Sequence, residues 1–403
     1  MNAKTRRQGR AAPTPRWVAG MLGTTRRRCA EAATSLRGVL QSWRSSLLLP
    51  LFAAGCAAPN LNPRQPTDES AVLSEVRQLT SGFAKAGEAY FSPDMKWVVF
   101  QAAPAGEERY QMYVAPVART GGDVTGIGRP VRVSPADSRN TCGHFSPDGT
   151  SLIFASTAGK EDPAEPAGGY QRQGGDYRWA FSPGMDVFRA DGWEPAVRAA
   201  EPGATVDLAR HRLTDNDRYD AECAFSPDGR RIVYTSVAAD GNADVYVMRA
   251  DGTRPVRITT ATGYDGGAFF SPDGKRLVYR SDRAGNSLLQ VYACDLTFDA
   301  AGDVTGSRNE RQLTDDPNVN WTPFWHPGGR HLVYATSRHG HHNYELYLMR
   351  ADGTLKTRLT LHPGFDGLPA FSPDGRYLLW TSKRSADKTS QVFLARFTPP
   401  RGS

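Results

Sequence analysis

The chain has 403 residues, with 49 Lys and Arg against 42 Asp and Glu, for a formal charge of +7. Residues 1–56 hold Lys4 and nine Arg against Glu31, a net of +9, so the remaining residues together carry −2. The basic surplus therefore belongs to a leader and gives no ground for expecting nucleic-acid binding.

The leader ends in a short apolar run, Leu47-Leu48-Leu49-Pro50-Leu51-Phe52-Ala53-Ala54-Gly55, behind Arg44 and directly before Cys56. The run is too short to cross a bilayer as a helix. It has the form of the apolar region of a signal peptide, with small residues at the cut. Ala54-Gly55-Cys56 resembles a bacterial lipobox, in which the Cys becomes lipid-modified and opens the mature chain, although Ala53 stands where Leu is usual. The expectation is a periplasmic lipoprotein held to a membrane through Cys56. A simply cleaved signal, or a fortuitous run in a cytoplasmic protein, are the alternatives, and Met1 and Met21 are both possible starts. Arg6-Arg7 is too far from the run for a twin-arginine signal. The five Cys (29, 56, 142, 223 and 294) are sparse and odd in number, which does not read as a disulfide framework. The last three are expected to be small buried hydrophobes.

Residues 57–71, rich in Pro, Asn and Ala, read as a flexible tether. Beyond them three short elements recur. The first is a corner, Phe-Ser-Pro-Asp-Gly, at Phe145–Gly149, Phe225–Gly229, Phe270–Gly274 and Phe371–Gly375, with degenerate copies at Phe91–Met95 and from Phe324 to Gly329. Ser, Pro, Asp and Gly suit the four positions of a type I turn, so each corner joins two strands. The second is an alternating run ending in a tight-turn signal, as in Asp244–Gly252 and Glu345–Gly353. The third is a strand ending in Thr, as at Thr80, Thr214, Thr259, Thr314 and Thr360, with a weaker copy at Pro130–Ser134. Together they give units of four strands. The corner Phe residues are spaced 54, 80, 45, 54 and 47 apart. Such spacing predicts an all-β fold, a six-bladed β-propeller of four-stranded blades. The long interval is an insertion, residues 158–184, between strands two and three of the second blade. The chain opens on a lone fourth strand near Val76 and ends after a third strand, Gln391–Phe397, so the N-terminal strand is expected to complete the last blade and close the ring. The domains are then a leader (1–56), the tether (57–71), the propeller (72–397) and a tail (398–403).

These repeats resemble the TolB-type propeller repeat, a WD-repeat-like unit of bacterial periplasmic proteins, over about residues 72–397. The resemblance implies a six-bladed propeller in the cell envelope, with a possible link to the Tol–Pal system. TolB itself carries an α/β domain before its propeller. Here only the tether stands between Cys56 and the first strand, which looks like a stand-alone relative.

The Ser and Asp of the corners read as turn-formers. The loops joining strand four to the next strand one are the candidate binding face. Five residues before the corner Phe stand Asp220, Asp265 and Asp366, each after an aromatic, Tyr219, Tyr264 and Phe365. Asn140 takes that position in the second blade and Val319 in the fifth, beside Trp321. Glu88 and Glu222, three before their Phe, should point near the axis. The insertion, with Tyr170, Tyr177, Arg178 and Trp179, should emerge on the same face as a flap. The alternative is that each aromatic–Asp pair only packs and caps its own loop. His339-Gly340-His341-His342 reads as a polar loop rather than a metal site. Motifs for a nucleophile elbow, a zinc helix or a phosphate loop are absent. The expectation is therefore a monomeric module that binds a protein or peptide at its loop face, without catalytic residues, cofactor or metal. A propeller hydrolase using carboxylates at the channel mouth is the alternative.

Overall fold

The structure, a computed structural model, describes residues 67–160, 169–173, 176–206, 208, 210–400 and 402, and of residues 169–179 the backbone alone. Cys56 and residues 57–66 lie outside this range. Six antiparallel sheets follow one another along the chain. Their innermost strands are Phe83–Phe91, Asn140–Phe145, Asp220–Phe225, Asp265–Phe270, Asn320–Trp325 and Asp366–Phe371. Five of the sheets run in simple order from inner to outer strand, and the sixth takes its outer strand, Leu73–Gln78, from the N-terminal end. That strand pairs antiparallel with Gln391–Phe397, as Leu73 with Phe397 and Gln78 with Phe393. The result is the expected six-bladed propeller with its ring closed by the N-terminal strand.

The second strands read as continuous apolar runs because each blade is covered on both faces by its neighbours. Residues Trp97–Ala103 and Tyr377–Ser382 are buried throughout. The closure seam is a core of its own, with Phe91 and Phe100 of the first blade packed with Leu379, Val392 and Leu394 of the last.

The corners are turns, as their composition requires. In the third blade Ser226 Oγ donates to Asp228 at 2.6 Å and accepts the Arg231 amide at 3.0 Å. Gly229 sits at φ +69°, where a side chain is disfavoured. In the fifth blade the corner aromatic is Trp325, not Phe324. Trp325 pairs with Leu332 just as Phe225 pairs with Ile232, and His326 holds the Ser position. The position that holds Asp in three other blades is therefore Asn320 here, not Val319.

Two further elements were not anticipated. Trp193–Arg198 forms a short helix in the second blade. The third strand of the first blade also extends into a hairpin with Asp123–Ile127. The segment read as the end of the tether is partly built in: Glu69 accepts the Leu361 amide at 2.8 Å and pairs with Arg384 at 2.7 Å.

Candidate functional site: a cavity on the propeller axis

Each inner strand carries the same irregularity. Its pairing with the second strand slips by one residue just before the corner, for example between Ala221 and Ala224 and between Trp321 and Phe324. The residue three before the corner aromatic is in the left-handed region in all six blades: Glu88 (φ 49°), Cys142 (56°), Glu222 (55°), Gly267 (59°), Thr322 (49°) and Leu368 (52°). Five of these six are not glycine, so the backbone holds a disfavoured conformation at one level of the ring. All six line one axial cavity of about 360 Å³.

In four blades the residue just before the corner aromatic is itself an aromatic ring, and these four rings close the cavity from behind. The Tyr90 and His144 ring centroids lie 3.7 Å apart with the planes tilted, Phe269 and Phe324 meet at 4.9 Å, and His144 and Phe269 at 5.5 Å. Behind this layer lies a second hollow of about 350 Å³, walled by the corner prolines Pro93, Pro147, Pro227, Pro272, Pro327 and Pro373.

The charges in the cavity are of two kinds. Glu222 is fully engaged. It accepts from Tyr264 Oη at 2.8 Å, Thr235 Oγ1 at 2.6 Å and the Gly267 amide at 2.7 Å, and it pairs with buried Arg280. Burial is the largest single influence on Arg280 and opposes its charge, but Glu222, Tyr264 and Tyr219 together outweigh it and the guanidinium pKa rises. Gly266 leaves room for this cluster, since a Cβ there would stand 2.5 Å from Glu222 Oε2 and 2.6 Å from Tyr264 Oη. Glu88 is half-buried, with a long contact from Tyr90 Oη at 3.5 Å and the Cys142 thiol beside its carboxyl. Burial lifts its pKa from 4.5 to about 7, with Arg280 and Glu222 pulling in opposite directions. Burial also lowers His144 to about 3 and raises Cys142 well above the usual thiol value. At neutral pH the floor is therefore an uncharged imidazole beside an uncharged thiol. Lys85, Arg109 and Arg139 stand at the wall toward the open face, with Tyr110 and with Ala180 and Ser182 from the end of the insertion.

Comparison with known proteins agrees with this architecture. The TolB beta propeller domain family matches residues 208–314 and 303–398. The chain is a TolB-like β-propeller. Among solved structures it is similar to the putative TolB from Agrobacterium tumefaciens, at 19% identity and a TM-score of 0.48, covering 78% of this chain and 90% of that one. TolB from Acinetobacter baumannii is also 19% identical, with a TM-score of 0.47, covering 79% of this chain and 65% of that one. Hydrazine synthase from Kuenenia stuttgartiensis is 15% identical, with a TM-score of 0.50, over 81% of this chain and 43% of that one. At 15% identity the last of these likenesses shows the fold alone.

The TolB-like propeller brings together part of the residue set expected from sequence. Tyr219, Glu222 and Trp321 line the cavity, as does Glu88. Asp220, Asp265 and Asp366 do not converge at the mouth. They are 3%, 1% and 0% exposed and turn into the blades. Asp220 accepts from Asn216 at 2.6 Å, Asp265 from Arg283 at 3.1 Å, and Asp366 from Trp380 at 3.1 Å and Arg384 at 2.7 Å. The slip explains the error. In an even strand the residues one, three and five before the corner share a face, and one extra residue moves the fifth to the other side. Tyr264 is buried and reaches the cavity only through its hydroxyl on Glu222. Phe365 packs against Tyr344 and Trp321, with ring centroids 5.7 and 6.3 Å apart. The insertion forms a hairpin, Gly169–Gln173 with Asp176–Ala180, and its last residues do reach the cavity; the Trp179 side chain lies outside the described residues. Residues the sequence reading passed over include Tyr90, Cys142, His144, Arg280 and Thr322. All but Arg280 share an offset of one or three from the corner, which the repeats already display. Among the described residues no three His, Cys, Asp or Glu are grouped as a metal would require, and His339 of the His-rich loop meets Tyr347 Oη at 2.8 Å.

Proposed function

We propose that this propeller is a protein- or peptide-binding module of the cell envelope that takes its ligand at the axial cavity. The observation that carries the reading is the cavity itself. It is pre-formed, aromatic-walled and closed behind by Tyr90, His144, Phe269 and Phe324, and its level in the ring is marked by five strained non-glycine residues. Concave sites with a few converging polar groups are the usual form of ligand pockets. Strain retained at such a site points to a role beyond folding. The apolar run before Cys56 and the TolB-type repeats support a periplasmic lipoprotein, and a Tol–Pal-related partner fits the same resemblance.

A photo-crosslinker at Arg109, on the cavity side, and another at Asp251, on the corner side, test this reading in intact cells. Partner adducts from Arg109 support it. Adducts only from Asp251 place the binding face on the opposite side.

A hydrolase is the second reading, and Glu88 is the observation that favours it. A half-buried carboxyl with a pKa near 7 suits general acid–base chemistry. Glu222 is a poor second carboxylate, because Arg280, Tyr264, Thr235 and Gly267 already occupy it. Hydrolysis of ester or glycoside substrates that disappears in Glu88→Gln would favour this reading over the first.

A further inference from the structure

We propose that the ligand places a basic side chain, lysine or arginine, in the axial cavity, where Glu88 and the Thr322 hydroxyl receive the cationic head and the surrounding rings the aliphatic stem. The proposal rests on the binding reading above and adds the chemistry of the ligand.

The first argument is the charge balance at one level of the ring. Among the residues held there in the left-handed region, Glu88 and Glu222 are the carboxylates. Glu222 is bound to Arg280, so that pair is internally compensated. The donors to Glu88 are neutral, the Cys142 thiol and, at long range, the Tyr90 hydroxyl. The other cations of the lining are already committed. Lys85 lies over the Tyr110 ring, its Nζ 4.3 Å from the centroid, with Glu108 as its opposing charge. Arg109 and Arg139 each have partners of their own. Glu88 is thus the carboxylate that a cation from outside can pair with. An ammonium or guanidinium gives it a charge-assisted bond, which a thiol and a distant phenol do not.

The second argument is what surrounds that carboxylate. Tyr90, His144 and Phe269 stand at the floor, and Tyr110, Tyr219 and Trp321 also line the cavity. Ring faces attract a cation and cover the methylenes behind it. Burial lowers His144 to about 3, so the floor adds no positive charge of its own. Thr322 sits at the same level of the ring as Glu88 and is 5% exposed, yet its hydroxyl has no hydrogen-bond partner. A buried hydroxyl left alone costs free energy until something bonds to it, and it can accept an N–H from the cation.

Ionisation of Glu88 couples capture to pH. Its carboxyl, lifted by burial to about 7, is neutral below that pH, and a cation favours the ionised form. Capture below pH 7 therefore displaces a proton. Facing Glu88 are Tyr90 and Tyr110 of its own blade, Cys142 and His144 of the second, and Glu222 and Cys223 of the third. The fourth blade supplies Arg280, and the fifth and sixth supply Thr322, Leu368 and Pro369, which carry no charge. Lys85, Arg109 and Arg139 stand toward the open face. Burial raises the phenols and thiols and lowers His144, so these groups stay uncharged between pH 6 and pH 8. Affinity for a cation should then rise about tenfold from pH 6 to pH 8.

The test uses the full chain and four peptides blocked at both ends, Gly-Gly-X-Gly-Gly, with X lysine, arginine, norleucine or glutamate. Each is titrated to millimolar concentration and read by calorimetry. The lysine or the arginine peptide is expected to bind at least about tenfold more tightly than the norleucine peptide. The tighter of the two cationic peptides names the side chain. Glu88→Gln should bring it down to the norleucine level and abolish its rise with pH, without lowering the melting temperature. Thr322→Val should cost it about threefold. Norleucine or glutamate bound as tightly as the cations overturns the proposal. So does no binding of either cationic peptide, an affinity unchanged in either variant, or a rise with pH that survives Glu88→Gln. If the cationic peptides fail while a partner still crosslinks at Arg109, only the charge assignment falls. If no adduct forms at Arg109 either, the binding reading falls with it.

Discussion

Arg358 donates to Glu345 at 2.6 Å, joining the outer strand of the fifth blade to the first residue of its third strand. Thr360, two residues on, donates to the same carboxylate at 2.5 Å and accepts the Leu346 amide at 2.8 Å. The third blade repeats this with Arg257, Asp244 and Thr259, and the second with Arg212, Asp186 and Thr214. Where the third strand opens on Gln instead, at Gln290 and Gln391, the Arg position is Gln312 or Gln78. In five blades the charge on one strand is thus matched by the residue on the next, the first blade placing Arg132 opposite Gln111, and the Thr or Ser that ends each unit is a clasp between them.

Removing one partner of such a pair should cost more than removing both. Glu345 is fully buried and Arg358 largely so. Glu345→Ala strands a guanidinium and is expected to cost about 3 kcal/mol. Glu345→Gln with Arg358→Gln copies the blades built on Gln and is expected to cost about 1 kcal/mol or less. Urea unfolding of the two variants checks the order, and a double variant less stable than the single one contradicts it.

Ring closure depends on the same clasp across the ends of the chain. Thr80 donates to Gln391 at 2.8 Å and accepts the Val392 amide at 2.9 Å. Deleting residues 72–80 removes this clasp, uncovers a strand edge and loses buried Val72 and Leu73, at 4% and 1% exposure. The burial alone suggests a loss of about 4 kcal/mol, with aggregation. Glu69→Ala, which removes only the contacts with Leu361 and Arg384, should lower the melting temperature by much less. Equal melting temperatures would show that the N-terminal strand does not hold the ring.

Glu88 should make stability depend on pH. Its folded pKa, about 7, lies above the 4.5 of an ordinary carboxyl, so the folded state holds the proton more tightly. Stability is then fully present below pH 4.5 and falls as pH rises through about 7. Glu88→Gln keeps the uncharged form at every pH. The variant should match the wild type near pH 4.5 and exceed it by about 1–3 kcal/mol at pH 8. A variant no more stable than the wild type at pH 8 would refute the buried-carboxyl account.

The corner side should behave as structure alone. Asp228 accepts from Ser226 and from the Arg230 amide at 3.1 Å. Asp228→Ala should cost about 1 kcal/mol and leave ligand affinity unchanged. A drop in affinity without loss of stability would mean that this face takes part in binding.

Blades, corners and closure were legible in the sequence because each rests on local chemistry repeated along the chain. Pro and Gly mark the turns, continuous apolar runs mark the second strands, and a lone Thr-ended strand at the start matches an incomplete sheet at the end. The site was legible only in part. Glu88 and Glu222 were placed near the axis, but Asp220, Asp265 and Asp366 were assigned to the mouth by a two-residue period that the bulge interrupts. A bulge leaves no mark in composition, since Glu, Cys, Thr and Leu occupy left-handed positions that usually call for Gly or Asn. Arg280 comes from the second strand of the fourth blade, so no offset from a corner could have found it, and only the fold brings it to Glu222.

The central claim is that the ligand enters the axial cavity, and filling that cavity tests it most directly. Leu368 lines the wall, is half-buried and already holds the left-handed backbone, so Leu368→Trp adds bulk to the empty space without changing a buried polar contact. Affinity for the crosslinked partner should then be measured by titration calorimetry, with the melting temperature recorded in parallel. The account predicts a loss of at least about tenfold in affinity with a near-constant melting temperature. Unchanged affinity with the cavity filled would contradict it.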